Sequence, residues 1–237
     1  MNPEWLKIVR ELSQVQDQAG VIPRFHDHRT PGYNRLFSGQ DPLGSSHIEF
    51  WRTWEYGYHY FNLEIADGMS VCDVGCGNSP LLAWLKSRHQ CTVLGVETLD
   101  AHQNSDGSGG GNYMPGRSCH PQYSKIFGVP YLDVEGGVLN EEKIQPHLGT
   151  FDRVVCIGVM EHIDHAQVQQ FVRNIQRLCK AGGLIGITYD IRLDEDIARG
   201  NELVEQAGLT IVNPDYGYPG DTMPFCKTIR GMILRKT

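Results

Sequence analysis

The sequence predicts an α/β fold: a doubly wound, mostly parallel seven-stranded sheet with an antiparallel last strand. The main observation is that short apolar runs bounded by turn residues alternate with amphipathic segments over residues 69–191. This order is typical of a parallel sheet with helices on both faces. A second observation is the final apolar run, 228–235, which fits an antiparallel strand closing one sheet edge.

The predicted elements follow in chain order. Residues 4–18 carry apolar side chains at helical spacing and predict an N-terminal helix, whereas 20–46 is too rich in Pro and Gly for a regular helix. An aromatic-rich stretch, 45–65, predicts a second helix, and residues 98–130 look irregular. The predicted strands are 69–74, 92–96, 151–157, 183–188 and 228–235, with a further apolar run at 209–212, and the later helices are 81–88, 166–179 and 194–207.

Length and composition favour a single domain. The 237 residues suffice for one sizeable core, so we expect one domain over 1–237, with 1–66 as a helical and loop cap over the ligand site and 67–237 as the core. The net charge of -7 and the lack of a long basic run argue against generic nucleic-acid binding. Without a long apolar run or a signal-like start, we expect a cytoplasmic protein with no membrane partner.

Seven scattered cysteines, an odd number without a Cys-x-x-Cys pair, predict reduced thiols with structural burial. The glycine turn that follows the first predicted strand carries the clearest ligand signal. Gly75 and Gly77 allow a tight bend and close backbone approach, and Asp73 at a buried strand end requires hydrogen-bond donors. Glu97 ends the next strand, where a carboxylate suits two ribose hydroxyls. The turn therefore predicts a nucleotide-like ligand at the carboxyl ends of the strands.

Together, these residues resemble class I S-adenosylmethionine-dependent methyltransferases. The resemblance covers roughly 69–191, and its further elements are Phe151-Asp152, Glu161-His162 and Gly182-Gly183. It implies a Rossmann-like, seven-stranded sheet whose third strand ends at 131–134, with S-adenosylmethionine as cofactor. The turn departs from the common family form, because Asn78-Ser79-Pro80 stand where a third glycine often occurs. The cofactor-binding residues that the resemblance implies are Asp73, Gly75, Gly77, Asn78, Glu97, Asp133, Val134, Ile157 and Gly158.

The resemblance also assigns roles. Asp133 would accept a hydrogen bond from the adenine amino group with Val134 covering the ring, and Ile157 and Gly158 would pass the methionyl part. His162, just past the fourth strand, is the candidate catalytic residue, because an imidazole that titrates near neutrality suits a general base. A purely packing role for this histidine remains open. Asp190, at the end of the fifth strand, would face the acceptor.

The acceptor site must come from segments outside the core, namely 20–46, 50–61 and the glycine-rich 101–121. Basic residues in the first of these could bind an anionic acceptor or form a solvated surface. His26-Asp27-His28 lacks a third ligand nearby, so no metal site is predicted. Aromatic residues at helical spacing favour core packing over a cage for a cation. The basic residues are Arg24, Arg29, Arg35 and Arg52 with His26 and His28, and the aromatic ones are Trp51, Trp54 and Tyr58.

The predicted function is methylation of a small molecule, with a hydroxyl acceptor favoured over an amine because His162 offers a base. A nicotinamide-dependent oxidoreductase is an alternative that the turn disfavours, since the third small residue is missing. A non-catalytic cofactor-binding module is another. The oligomeric state is open, with the N-terminal helix as a candidate contact in a homodimer.

Overall fold

The computed structural model describes residues 3–19, 50–77, 79–97, 120–134, 137–164, 166–191, 207–217 and 228–236. Within them lies one seven-stranded sheet in the order β3-β2-β1-β4-β5-β7-β6. The predicted mostly parallel sheet is confirmed, because only β7 runs antiparallel to its two neighbours. The strands are β1 (Ser70–Val74), β2 (Thr92–Glu97), β3 (Tyr131–Asp133), β4 (Phe151–Ile157), β5 (Cys179–Ile191), β6 (Thr210–Gly217) and β7 (Thr228–Arg235).

Helices cover both faces of the sheet. One face packs against four helices, and the opposite face packs mainly against α6. This is the doubly wound arrangement, and its strand order reverses between β1 and β4, where α/β folds bind ligands. The described helices are α1 (Pro3–Ala19), α2 (Phe50–Asn62), α3 (Leu81–His89), α4 (His120–Phe127), α5 (Glu141–Ile144) and α6 (Val168–Leu178).

The sheet has a hydrophobic core on each face, because side chains alternate between the two faces along each strand. In β1, Val71 joins the core on the side of α1 to α4, and Cys72 joins the core on the side of α6. The apolar stripe of α6 completes the second core through Phe171 and Ile175, 3% and 0% exposed. Because side chains alternate between the two faces of a strand, each buried strand carries apolar residues at consecutive positions.

The N-terminal helix is held to the same face as α3. Trp84 of α3 is 1% exposed, and its indole N–H donates to Glu11 Oε2 of α1 over 2.8 Å. Leu12 of α1 is completely buried. Of the predicted cap over 1–66, the structure therefore describes helices packed on the sheet face. Residues 20–49 lie outside the described part, so a cap over the ligand site stays a prediction.

Two expectations need correction. Residues 98–130 were expected to be irregular, but α4 forms a helix, with Tyr123 fully buried against α3 and the sheet. The fifth strand was expected to begin at Gly183, but β5 begins at Cys179. Gly182 has a φ of +73°, and the pairing of β4 with β5 shifts register between Phe151 and Arg153. The Gly182-Gly183 pair thus marks an irregularity inside the strand, since glycine tolerates that conformation.

Among the described helices, none is long and apolar enough to cross a membrane.

Candidate cofactor and acceptor site

The glycine turn after β1 is closed by backbone geometry that only glycine adopts easily. Gly75 and Gly77 have φ values of +69° and +48°, in the left-handed region. Gly75 donates its N–H to the Val96 carbonyl over 2.8 Å. A Cβ on Gly75 would lie 2.3 Å from Val159 Cγ2, so the turn also packs tightly against the segment after β4. The tight bend predicted at these two glycines is present, and their contact with a cofactor stays a prediction.

Glu97 meets the turn directly. Its Oε2 accepts a hydrogen bond from the Gly77 N–H over 2.6 Å. Both residues remain partly exposed at the carboxyl ends of the strands. The carboxylate therefore has two tasks available: it orders the turn, and it presents acceptor oxygens at the position where ribose hydroxyls are expected.

Asp73 lies beneath the turn and is only 1% exposed. It pairs in register with Gly95 of β2 and Val155 of β4, which puts it at the reversal of strand order. Burial, followed by the negative charge of Asp73, holds the pKa of Cys76 well above its usual value. A buried carboxylate at this position is suited to neighbouring N–H donors or to a cationic ligand group.

At the end of β3, the acid and its apolar neighbour differ in exposure. Asp133 pairs in register with Glu97 and is exposed. Val134 donates its N–H to the Glu97 carbonyl over 2.9 Å, and its side chain is completely buried in the core. The Asp133 carboxylate, and not the Val134 side chain, is therefore the surface group at this strand end.

At the end of β4, backbone groups lie at the same carboxyl ends of the strands as the glycine turn. Ile157 and Gly158 are both partly exposed, and Gly158 has a φ of +61°. Its N–H donates to the Thr188 carbonyl of β5 over 2.9 Å. The chain then passes Val159, which packs on Gly75, so the ends of β1, β4 and β5 are joined into one wall of the site.

Glu161 and His162 follow in a short 3-10 helix, Met160–His162. Their side chains differ sharply, because Glu161 is 5% exposed and His162 is 55% exposed. His162 Nε2 lies 4.0 Å from Glu161 Oε1. A buried carboxylate thus stands beside an accessible imidazole.

Asn78 and the basic residues of 20–46 lie outside the described residues, as do the side chains of Trp51 and Arg52. Trp54 and Tyr58 stack with ring centroids 5.0 Å apart, and Tyr58 is 1% exposed, so the expected core packing is confirmed for these two rings. Two residues of α2, Glu55 and His59, were not singled out from the sequence. Both are completely buried, and the His59 ring packs where Gly186 of β5 has no Cβ.

The cysteine prediction agrees with the described residues. All five described cysteines are buried free thiols, and burial is the main cause that raises their pKa values. Such thiols are poor nucleophiles, which favours packing over catalysis. The five are Cys72, Cys76, Cys91, Cys156 and Cys179.

A family model described as "Methyltransferase domain" matches residues 45–213, which is most of the chain. The chain belongs to this methyltransferase family. The family's cofactor is S-adenosylmethionine, so the nicotinamide alternative is set aside. Among curated relatives of this methyltransferase domain, a ubiquinone biosynthesis O-methyltransferase from Acinetobacter baylyi is 29% identical over 49% of the chain and 41% of its own length. A cyclopropane-fatty-acyl-phospholipid synthase from Escherichia coli is 27% identical over 52% of the chain and 26% of its own length.

The chain therefore matches less than half of the length of each of these two curated relatives. Among solved structures, a 1,6-didemethyltoxoflavin-N1-methyltransferase from Burkholderia thailandensis covers the whole chain with a TM-score of 0.59 at 14% identity, and aligns over 91% of its own length. A TehB-like methyltransferase from Corynebacterium glutamicum gives 0.55 at 17% identity, with 87% of this chain and 97% of its own covered. At these identities the likeness shows the fold.

The described residues fit S-adenosylmethionine. The turn leaves no room for a Cβ at Gly75, which brings backbone close to the ligand position. Carboxylates stand at the ends of β1, β2 and β3, in positions suited to the ammonium, ribose and adenine groups. These groups are compatible with the cofactor, and their individual contacts with it stay predictions.

Proposed function

We propose that this chain is an S-adenosylmethionine-dependent methyltransferase that acts on a small-molecule acceptor, with an acceptor hydroxyl favoured and His162 as general base. One observation carries the proposal. The closed glycine turn with Glu97 and the exposed His162 ring lie at the carboxyl ends of adjacent strands, joined through the contact of Gly75 with Val159. We also propose a cytoplasmic location, which rests on the sequence composition.

In this proposal, each part of the site has a defined task. Glu97 holds two ribose hydroxyls and the Gly77 N–H, while Asp133 accepts from the adenine amino group. Ile157 and Gly158 form the wall beside the methionyl part. The bound cofactor supplies an electrophilic methyl group on a sulfonium sulfur, which an aligned acceptor attacks in line. His162 receives the acceptor's proton, and the buried Glu161 carboxylate stabilises the resulting imidazolium.

An amine acceptor is the second candidate. The buried carboxylates of Asp73 and Glu161 lie near the end of β4, where both add to the effect of burial in raising the pKa of Cys156. Negative charge beside the transferred methyl group stabilises a nitrogen that gains positive charge during the reaction. This observation supports N-methylation as the second candidate after O-methylation. An anionic acceptor stays a sequence prediction, because its basic residues lie outside the described part.

The identity of the acceptor is tested by labelled methyl transfer. The chain is incubated with S-adenosylmethionine carrying a labelled methyl group and with fractionated metabolite extracts, and the labelled product is identified. A small labelled product is expected. Label found only in nucleic acid or protein would contradict the small-molecule proposal, and no transfer to any fraction would contradict the activity itself.

With that acceptor in hand, His162→Ala is expected to lower kcat about 10²- to 10⁴-fold, the usual contribution of a general base. The Kd for S-adenosylhomocysteine should stay within about twofold, because the imidazole is placed on the acceptor side. The matched control is His147→Ala, which removes a partly exposed histidine that precedes β4. A kcat for His162→Ala equal to that of the control would reduce His162 to a packing residue.

A further inference from the structure

Helix α2 buries two ionisable side chains one helical turn apart. Glu55 and His59 are both 0% exposed, on the helix that packs against β5 and β7. Apolar packing does not explain this choice, because a buried carboxylate is costly unless its surroundings use it. Tyr58 of the same helix and Leu63, just past its end, already make apolar contacts with the sheet. This polar pair thus adds a carboxylate and a hydrogen-bonding ring to the apolar contacts between α2 and the sheet.

His59 fixes where α2 sits along β5. Its Nε2 lies 3.1 Å from Thr188 Oγ1 in a buried hydrogen bond. Gly186, two residues earlier on the same strand face, makes room for the ring, since a Cβ there would lie 2.3 Å from His59 Nδ1. Burial lowers the pKa of His59 to about 3, so the ring is neutral. Thr188 is also the residue whose carbonyl holds Gly158 at the end of β4.

The direction of α2 places Glu55 nearer the site than His59. The carbonyl of Leu63, just past the helix end, accepts a hydrogen bond from Arg153 near the start of β4. The C-terminal end of α2 therefore lies toward the amino ends of the strands. Glu55 precedes His59 by four residues, which moves it about 6 Å toward the carboxyl ends. Consistently, Glu55 is among the charges that act on Cys156, next to the last residue of β4.

We propose that Glu55 is a specificity-determining residue of the acceptor site, where its carboxylate accepts a hydrogen bond from an N–H, O–H or ammonium group of the acceptor and excludes anionic acceptors. The inference rests on the proposed function, because it places the acceptor at the ends of β4 and β5. His59 is the positioning residue, since it holds α2 against Thr188 and thereby sets the place of Glu55.

The charge has a direct chemical consequence. During transfer, a lone pair of the acceptor atom forms the new bond to the methyl carbon, and the electrons of the broken carbon–sulfur bond stay on sulfur. A neutral acceptor atom gains positive charge in this step, and its proton then passes to His162. Nearby carboxylates stabilise that change, whereas they repel an acceptor that arrives as an anion. Glu55 therefore selects neutral or cationic acceptors, contrary to the anionic acceptor considered from the sequence.

The test measures the charge at the methyl position without knowledge of the acceptor. Sinefungin is an analogue of S-adenosylmethionine with an amino-bearing carbon in place of the methylated sulfur, and S-adenosylhomocysteine is neutral at that point. Titration calorimetry gives both Kd values for the wild-type chain, for Glu55→Gln and for Glu64→Gln. Glu64 is an exposed glutamate just after α2, so its variant is the matched control. Wild type should bind sinefungin more tightly than S-adenosylhomocysteine. Glu55→Gln should reduce that preference about fivefold, the scale of one nearby charge.

The outcomes separate the two proposals. If neither compound binds wild type, the proposed function fails. If both bind but wild type shows no preference for sinefungin, Glu55 has no such role, and this result does not depend on the variant folding. An equal loss for both compounds in Glu55→Gln would assign Glu55 to the architecture of the fold, and an equal change in Glu64→Gln would show a non-local charge effect. Either result overturns the inference.

Discussion

At the scale of single residues, the glycine turn is packed so closely against the segment after β4 that Gly75 has no room for a side chain. The positive φ of Gly75 and its contact with Val159 exclude any side chain there. The turn is held from the other side by Glu97, which accepts the Gly77 N–H. In the proposed function, the same carboxylate both orders the turn and contacts the ribose. Loss of Glu97 should disturb both at once.

We therefore expect Glu97→Ala to weaken binding of S-adenosylhomocysteine about 10- to 100-fold, the scale of one or two hydrogen bonds to a charged group. Glu97→Gln should lie between Ala and wild type, because the amide oxygen still accepts the Gly77 N–H but offers a poorer match to two hydroxyls. Titration calorimetry measures the three Kd values, with Glu142→Ala as an exposed control. An unchanged Kd in Glu97→Ala would remove Glu97 from the ribose position.

At the scale of elements, glycines in two strands create the seat for α2. A Cβ on Gly186 would collide with His59, and a Cβ on Gly231 would lie 2.7 Å from the Tyr58 ring. These two strands are neighbours, with Gly186 pairing with Ile233 and Gly231 with Thr188. The helix can therefore approach the sheet closely with polar and aromatic side chains. The direction of the helix, given by the hydrogen bond from Arg153 to the Leu63 carbonyl, places Glu55 toward the carboxyl ends of the strands.

At the amino ends of the strands, Asp152 near the start of β4 links three neighbouring strands. Its Oδ2 accepts from the Ser70 N–H over 2.8 Å and from the Ser70 hydroxyl over 2.6 Å, and its Oδ1 accepts from Lys180 Nζ over 2.7 Å. These contacts join the starts of β1, β4 and β5. Phe151-Asp152 was part of the sequence resemblance, and the structure places its acid far from the ligand edge, in a structural role.

This network predicts a pH dependence of stability. Partial burial raises the pKa of Asp152, but the hydrogen bonds from Lys180 and Ser70 outweigh it and lower the pKa to about 2. A pKa below the unfolded value stabilises the fold above that unfolded value, and the stabilisation is lost as pH falls from about 4 toward 2. Asp152→Asn should cost about 1 kcal/mol at pH 7, after allowance for solvent screening.

Urea unfolding of wild type and Asp152→Asn at pH 7 and near pH 3 measures this difference. The gap between the two proteins should narrow at the lower pH. Glu142→Gln serves as a control for removal of one exposed carboxylate. A gap that stays constant across this range would show that the charge of Asp152 is not what stabilises the network.

At the scale of the whole molecule, the sheet could be predicted because each strand has its own local sequence pattern. The apolar runs of β1, β2 and β4 are bounded by turn residues, so strand and connection are visible together. Helix α4 was missed because, among its residues of described burial, Tyr123 is completely buried and most of the others are exposed. Its position depends on contacts with α3, which the sequence does not display.

The site divides in the same way. Gly75, Glu97 and Gly158 could be predicted, since each stands at the end of an apolar run. The burial of His59 could not be predicted, because it depends on Gly186 in a strand far along the chain, and the burial of Glu55 follows from the docking of the same helix. Residues of this kind become visible only when the helix and the sheet are seen together. Acceptor-side residues, which lie outside the strand ends, are therefore the least predictable part of the fold.

The whole fold also supplies the broadest test. A ligand that binds only the folded chain stabilises it by about 2.7 kcal/mol at a concentration of 100 Kd. For a chain of this size that corresponds to a rise in Tm of about 5 to 10 °C. S-adenosylhomocysteine should produce such a shift, and NADH at the same concentration should produce none, because the Gly75 turn with Asn78-Ser79-Pro80 lacks the third small residue of a dinucleotide loop. Differential scanning calorimetry measures both shifts on one preparation, with Glu97→Ala as the variant that should lose most of the first. A shift with NADH alone would contradict the proposed cofactor, and equal shifts in wild type and Glu97→Ala would place the ligand away from the glycine turn.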